Sequence, residues 1–236
     1  MKNIPRILAL GLIAGVSAFA ATYNAYNEFG GTNPTGVWSY GTANPANPGV
    51  FTPFSPGSFN GSCASGLACW IGSNSVSVSK PNSTFAIGTV LFELNFLTLH
   101  PGSDGTVAVL RFTAPTADAY TFNASFIDQD VSGGNGVNLM FGFETTPAPT
   151  VGSEVVGANF LATPRSLNQT RNLASGASAY FAVGNNGEFS YDAVGLSLIV
   201  TSAAPTQPSG NVPEPSTFLL TSCGAALAFF LRRRRA

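Results

Sequence analysis

The chain has 236 residues, 44% of them hydrophobic and only 9% charged, with a formal net charge of −1. That near-neutral total hides an uneven distribution. Between residues 21 and 211 four basic residues face ten acidic ones, a net charge of −6, while four arginines crowd the C-terminus. An acidic stretch so poor in lysine argues against nucleic acid and anionic membrane surfaces as partners, and suits cations or neutral polysaccharide.

The N-terminus opens on a short basic segment, Met1-Lys2-Asn3-Ile4-Pro5-Arg6, followed by an apolar run over 7–16. Ala18-Phe19-Ala20 then supplies the small-x-small pattern that signal peptidase reads, which places cleavage between Ala20 and Ala21. The apolar run is shorter than the ~18 residues of a spanning helix, so 1–20 reads as a removable signal helix.

From residue 21 onward the helical period gives way to short β-branched or aromatic runs broken by Gly, Pro and Asn. Strands are expected over 36–41, 68–72 and 89–92, with the region before about residue 88 rich in loops. A further strand over 107–113 follows the turn His100-Pro101-Gly102-Ser103-Asp104-Gly105. The clearest alternation runs over 120–127: Tyr120, Phe122, Ala124 and Phe126 share one face, and Thr121, Asn123 and Ser125 share the other. Strands over 137–144, 153–161, 167–173, 177–183 and 190–200 complete the series. The fold class expected is all-β: a single antiparallel β-sandwich over 21–201, of jelly-roll type, flanked by the signal helix and a C-terminal hydrophobic helix.

Cys63 and Cys69 are the only cysteine pair in this region, and a disulfide closing the Gly/Ser loop between them is expected in an oxidising compartment. Zinc has no second cysteine pair or histidine set to bind. The single histidine, His100, sits in a Pro-Gly turn without a Gly-x-Ser-x-Gly elbow, and no two carboxylates are patterned to face across a cleft. A non-catalytic protein is expected. Asp128 and Asp130 bracket the start of a Gly/Asn-rich loop, where carboxylate and carbonyl oxygens suit a structural calcium. Trp38, Tyr40 and Trp70 are candidates for stacking on sugar rings, with Tyr180 and Tyr191 behind them, although strand aromatics more often fill cores.

Several segments together resemble exported jelly-roll domains related in architecture to carbohydrate-binding modules. They are Trp38-Ser39-Tyr40-Gly41, Leu99-His100-Pro101-Gly102, Arg111-Phe112-Thr113-Ala114-Pro115, Ala119-Tyr120-Thr121-Phe122 and the run from Gly184 to Asp192. The resemblance implies polysaccharide as a ligand. It also implies that Glu28, near the first strand, and Asp192, in the last, pair around a calcium ion.

Residues 202–211, with Pro205 and Pro208, form a polar linker. The tail that follows has three consecutive parts: Val212-Pro213-Glu214-Pro215, an apolar stretch over 216–231, and Arg232, Arg233, Arg234 and Arg235. Sixteen residues span about 24 Å as a helix, short of a hydrocarbon core of about 30 Å, so the segment suits a transient stop in the inner membrane. The arginines hold its end on the cytoplasmic side. The tail resembles the PEP-CTERM sorting signal of bacteria that make exopolysaccharide. That resemblance implies processing by an exosortase and delivery to the cell surface or extracellular matrix of a biofilm. Two other outcomes stand beside it: a glycosylated structural or adhesive coat protein without a ligand pocket, and a retained single-pass membrane protein.

Overall fold

The computed structural model describes residues 20–44, 47–130, 133–143, 150–156 and 163–203. Residues 1–19 of the expected signal peptide, the expected linker beyond Ala203 and the 212–236 tail, with its expected membrane segment, lie outside the described residues. No helix among the described residues is long and apolar enough to cross a membrane. Residues Ala20–Ala203 form one compact unit.

That unit is all β. Its strands, in chain order, are β1 (Thr22–Asn24), β2 (Trp38–Asn44), β3 (Asn47–Pro53), β4 (Phe59–Ala64), β5 (Leu67–Ile71), β6 (Ser77–Pro81), β7 (Phe85–Ile87) and β8 (Val90–Phe92). They continue with β9 (Leu97–His100), β10 (Val107–Thr113), β11 (Asp118–Asp128), β12 (Val137–Phe143), β13 (Thr150–Val156), β14 (Arg165–Leu173), β15 (Ser178–Asn185) and β16 (Val194–Ser202). One sheet has the order β14-β11-β16-β9-β6-β5-β4, with β1 also on β16; the other has the order β13-β12-β15-β10-β2-β3. Strands β7 and β8 form a separate hairpin.

From β9 to β16 every connection but β12–β13 crosses between the two sheets, so that β9, β16, β11 and β14 face β10, β15, β12 and β13. That is the strand order of a jelly roll. The remaining strands extend it at one side: β2 and β3 beside β10, and β6, β5 and β4 beside β9. The region before residue 88 is therefore more regular than its composition suggests. In β4 three of the six residues, Asn60, Gly61 and Ser62, are exposed and none is fully buried, so no clear alternation announced it.

The alternation in β11 does the work its pattern predicts. Tyr120, Phe122, Ala124 and Phe126 point into the sandwich, and Asn123 points out. Across the core β10 contributes Ala108, Leu110 and Phe112, and β15 contributes Ala179, Phe181 and Val183. Phe112 meets Tyr120 and Phe122 of the opposite sheet edge-on, at centroid distances of 5.3 and 5.7 Å. Phe122 in turn meets Phe143 and Phe181 at 5.1 and 5.9 Å. The outward residues of β10 and β15, among them Val107, Val109, Tyr180 and Ala182, are buried too and form a second apolar cluster with Phe51. That double burial explains why β15 reads as a continuous apolar run rather than an alternation.

Both ends of the unit meet on β16. The Ala21 amide donates to Ser202 Oγ at 2.8 Å, and the Ser202 amide donates to the Ala21 carbonyl at 2.9 Å. The last strand thus includes Ser202, two residues beyond the 190–200 run expected from the sequence. Cys63 and Cys69 are joined by a disulfide across the β4–β5 hairpin, with Cα atoms 5.9 Å apart. The loop it closes is short, so reduction is expected to cost only about 2 kcal/mol. A drop in urea midpoint on adding reductant measures this, and a loss of all cooperative unfolding would contradict it.

Candidate functional site

The inward face of β11 changes character at its end. After Tyr120, Phe122, Ala124 and Phe126 the same face continues with Asp128, which pairs with Val194 of β16. The ladder runs one step further, because the Gln129 amide donates to the Ala193 carbonyl at 2.9 Å. Antiparallel register then sets Asp192 opposite Asp130. Three carboxylates therefore collect at one pole of the sandwich, where the apolar core ends.

All three are buried, but they are not equally provided for. Asp128 Oδ1 accepts from the Asp130 amide at 3.0 Å. Asp130 Oδ1 accepts from Thr89 Oγ1 at 2.8 Å, and its Oδ2 accepts from the Ala193 amide at 3.1 Å. Asp192 is 0% exposed, and neither of its carboxylate oxygens has a hydrogen-bond donor. Burial, followed by the negative charges of Asp130, Glu188 and Asp128, pushes its carboxyl up to about 7. Among the described residues the acidic side chains do not close into a ready-made metal shell.

Three chain segments enclose this pole. Strand β8 lies along one side, with the Leu91 amide donating to the Gln129 carbonyl at 2.7 Å and Val90 bridged to Asp130. Gly133 and Gly134, at φ of 96° and 78°, run against Tyr191; a Cβ on Gly133 would stand 3.0 Å from the Tyr191 ring, so only glycine suits that position. Tyr191 itself, at φ 66°, turns the chain into β16 and is 44% exposed. This turn is why β16 begins at Val194 rather than at 190. His100, at the end of β9, pairs its Nδ1–H with the Pro101 carbonyl at 2.8 Å and stands edge-on to Phe189. Burial pulls its pKa below the usual histidine value.

The other site residues named from the sequence lie elsewhere. Glu28 does not join the three aspartates: its carboxylate accepts from the Asn24 amide at 2.7 Å and from Trp38 Nε1 at 3.0 Å. Asn24 pairs with Ile199, five strand residues from Val194, which separates the two levels by about 16 Å. The Glu28–Asp192 pair implied by the resemblance therefore does not fit this chain. Trp38, Tyr40 and Trp70 are each 0% exposed, so none offers a ring face to a sugar. Trp38 packs on Phe112, and Tyr40 stacks against Trp70, which also meets Phe59. Trp70 lies within β5, where a strand was expected over 68–72, and donates its Nε1–H to the Gly30 carbonyl. Sequence reading missed Thr89 and Gln129, which hold the pole together from loops and strand ends; no pattern in the chain signals them.

Residues 211–235 match the pattern of the PEP-CTERM protein-sorting motif. The chain carries a PEP-CTERM signal. The match begins one residue before Val212 and includes Pro213, Glu214, Pro215 and the four terminal arginines. No curated protein matches the chain. Among solved structures, 71% of the chain aligns with 27% of an arabinose-bound α-L-arabinofuranosidase, at 12% identity and a TM-score of 0.37. The K2 cleaved adhesin domain of Lys-gingipain aligns over 78% of this chain and 100% of its own, at 16% identity and a TM-score of 0.35. A Cellvibrio mixtus carbohydrate-binding module in complex with cellotriose aligns over 45% of this chain and 77% of its own, at 18% identity and a TM-score of 0.26. The chain thus spans about a quarter of the arabinofuranosidase, and likenesses of this size carry no inference about ligand or activity.

Proposed function

We propose that this chain is an exported, surface-sorted and non-catalytic protein of an exopolysaccharide or biofilm matrix, released from its tail by an exosortase, whose sandwich associates with polysaccharide. The observation that carries this reading is the PEP-CTERM signal at 211–235. An N-terminal signal cut between Ala20 and Ala21 is consistent with it, since the mature end would begin at the first residue tied to β16. With Trp38, Tyr40 and Trp70 buried, contact with sugar falls to the exposed Tyr191 and to outward polar side chains.

A second reading, a structural or adhesive coat protein without a ligand pocket, is favoured by the outer face of β11 and β14. There Thr121 and Thr170 share a hydrogen bond at 2.9 Å, and Asn168 Nδ2 donates to Asn123 Oδ1 at 2.6 Å. Ser125 faces Ser166 one step further on. The result is a polar ladder across the two strands. Intact mass of the protein recovered from the native surface, combined with co-sedimentation on the producing cell's polysaccharide, separates the readings. A chain beginning at Ala21 and ending near 213–215 is expected, sedimenting with the polymer. Added mass without co-sedimentation would favour the coat protein, and an uncut tail would overturn processing altogether.

A further inference from the structure

We propose that β16 is exchanged between two copies of this chain, each copy placing its last strand in the other's eight-stranded sheet. The inference is independent of polysaccharide binding and of the fate of the tail. β16 is the last strand of the unit, yet it lies inside its sheet, with β11 on one side and β9 and β1 on the other. A single connector, residues 186–193, ties it to the rest of the sandwich, whereas every strand from β2 to β15 has two. Its inward side chains Val194, Leu196, Leu198 and Val200 belong to the core. A slot left without β16 would open that core and leave unpaired strand edges, and its register admits a strand of this pattern. A second copy carries that strand.

The connector supplies the reason to open, because two consecutive residues in it carry a cost in the closed form. Tyr191 stands at φ 66°, a left-handed conformation that disfavours a bulky side chain. Asp192 is fully buried with no hydrogen-bond donor to either carboxyl oxygen, and the charges that bear on it, Asp130, Glu188 and Asp128, are all negative. Straightening the connector toward a neighbour returns Tyr191 to extended backbone and Asp192 to water. The pairings of β16 with β11, β9 and β1 are remade in the partner, so the sheet keeps its ladder. The contacts given up lie in the connector: the two hydrogen bonds between Asn135 and Asn186, at 2.7 and 3.3 Å, the Ala193 amide on Asp130, and Phe189 against His100. Strain confined to a hinge, next to an element that is itself unstrained, is the condition that invites exchange between protomers. The clasp of Ala21 on Ser202 then joins two chains instead of closing one. Copies sorted to the same surface are thereby linked through their sandwiches.

The test uses the full chain in mild detergent, with Cys223→Ser to remove the one cysteine outside the native pair. Thr22 and Thr201 lie directly opposite each other on β1 and β16, and Thr22→Cys with Thr201→Cys sets a disulfide across them. After refolding over a range of protein concentrations and oxidation, a non-reducing gel should show covalent dimers whose share rises with concentration. A β16 kept in its own sandwich gives the bond within one chain. Neither single variant should yield covalent dimers. Tyr191→Gly combined with Asp192→Asn keeps the connector's length but relieves its strain, and should shift the equilibrium at least about tenfold toward monomer. Wild-type dimers should persist on dilution, because release requires β16 to leave the sheet, and should separate in mild urea. A disulfide formed within single chains at every concentration overturns the proposal, as do covalent dimers in a single variant to the extent seen in the double. A dimer share unchanged in the strain-relieved variant, or wild-type dimers that fall apart at once on dilution, overturns it as well.

Discussion

Phe112→Ala is expected to destabilise the sandwich by about 4 kcal/mol, near the upper end of large-to-small core substitutions. Phe112 sits on β10 at the point where the two sheets and the N-terminal segment meet. Its ring touches Tyr23 of β1, Trp38 of β2, and Tyr120 and Phe122 of β11, all at centroid distances between 5.3 and 5.7 Å. Removing it deletes aromatic contact with both sheets at once. It also leaves a cavity walled by rings that are themselves fixed: Trp38 by its hydrogen bond to Glu28, and Tyr120 by donation of its hydroxyl to the Thr116 carbonyl at 2.9 Å. Walls tethered in this way cannot collapse into the void, which places the cost high in the usual range. For a domain of this size the melting temperature should fall by roughly 10 °C. Urea unfolding provides the measurement, with the midpoint falling at unchanged slope. A loss below about 1.5 kcal/mol would mean that the site repacks and that the ring network is not the centre of the core.

The same residues show what the sequence could reveal. The faces of β10 and β11 follow from period-two alternation, because one side of each meets the core, and 107–113 was legible to the residue. The inward face of β11 was equally legible as far as Phe126. What followed it was not, since Asp128 continues the inward face but alternation predicts an apolar residue there. The carboxylates at 128 and 130 stood out only as acids beside a glycine-rich loop. That Asp192 joins them depends on antiparallel register between strands distant in sequence, and register is invisible without the partner. Glu28 misled for the converse reason: nearness of terminal strands does not say which end of a strand a residue occupies. Trp70 misled as a stacking candidate because a strand pattern does not say what covers the ring. Its burial comes from Phe59 and Tyr40, which reach it from other strands.

Asn33→Ala is expected to cost about 2–3 kcal/mol, although Asn33 lies in a loop and contributes little to the apolar core. Strand β3 ends at Pro53, opposite Gly41, but the chain continues alongside β2 for one more residue. There the Phe54 amide donates to the Tyr40 carbonyl at 3.0 Å, and the reciprocal bond of an antiparallel pair is not made directly. The side-chain amide of Asn33 fills the gap. Its Oδ1 accepts from the Tyr40 amide at 3.0 Å, and its Nδ2 donates to the Phe54 carbonyl at 3.1 Å and to the Tyr40 carbonyl at 2.6 Å. Alanine would leave the backbone N–H of a fully buried tyrosine without an acceptor, and an unsatisfied buried donor carries its whole desolvation cost. Asn33→Asp should be no better. It keeps an acceptor for the Tyr40 amide but turns a charged oxygen toward two carbonyl oxygens that require a donor. Hydrogen exchange at Tyr40 locates the effect: its amide should exchange much faster in Asn33→Ala, while amides in β11 and β16 change only as far as global stability falls. Equal acceleration throughout the sandwich would show that Asn33 acts on the whole fold and not as a missing rung of the ladder between β2 and β3.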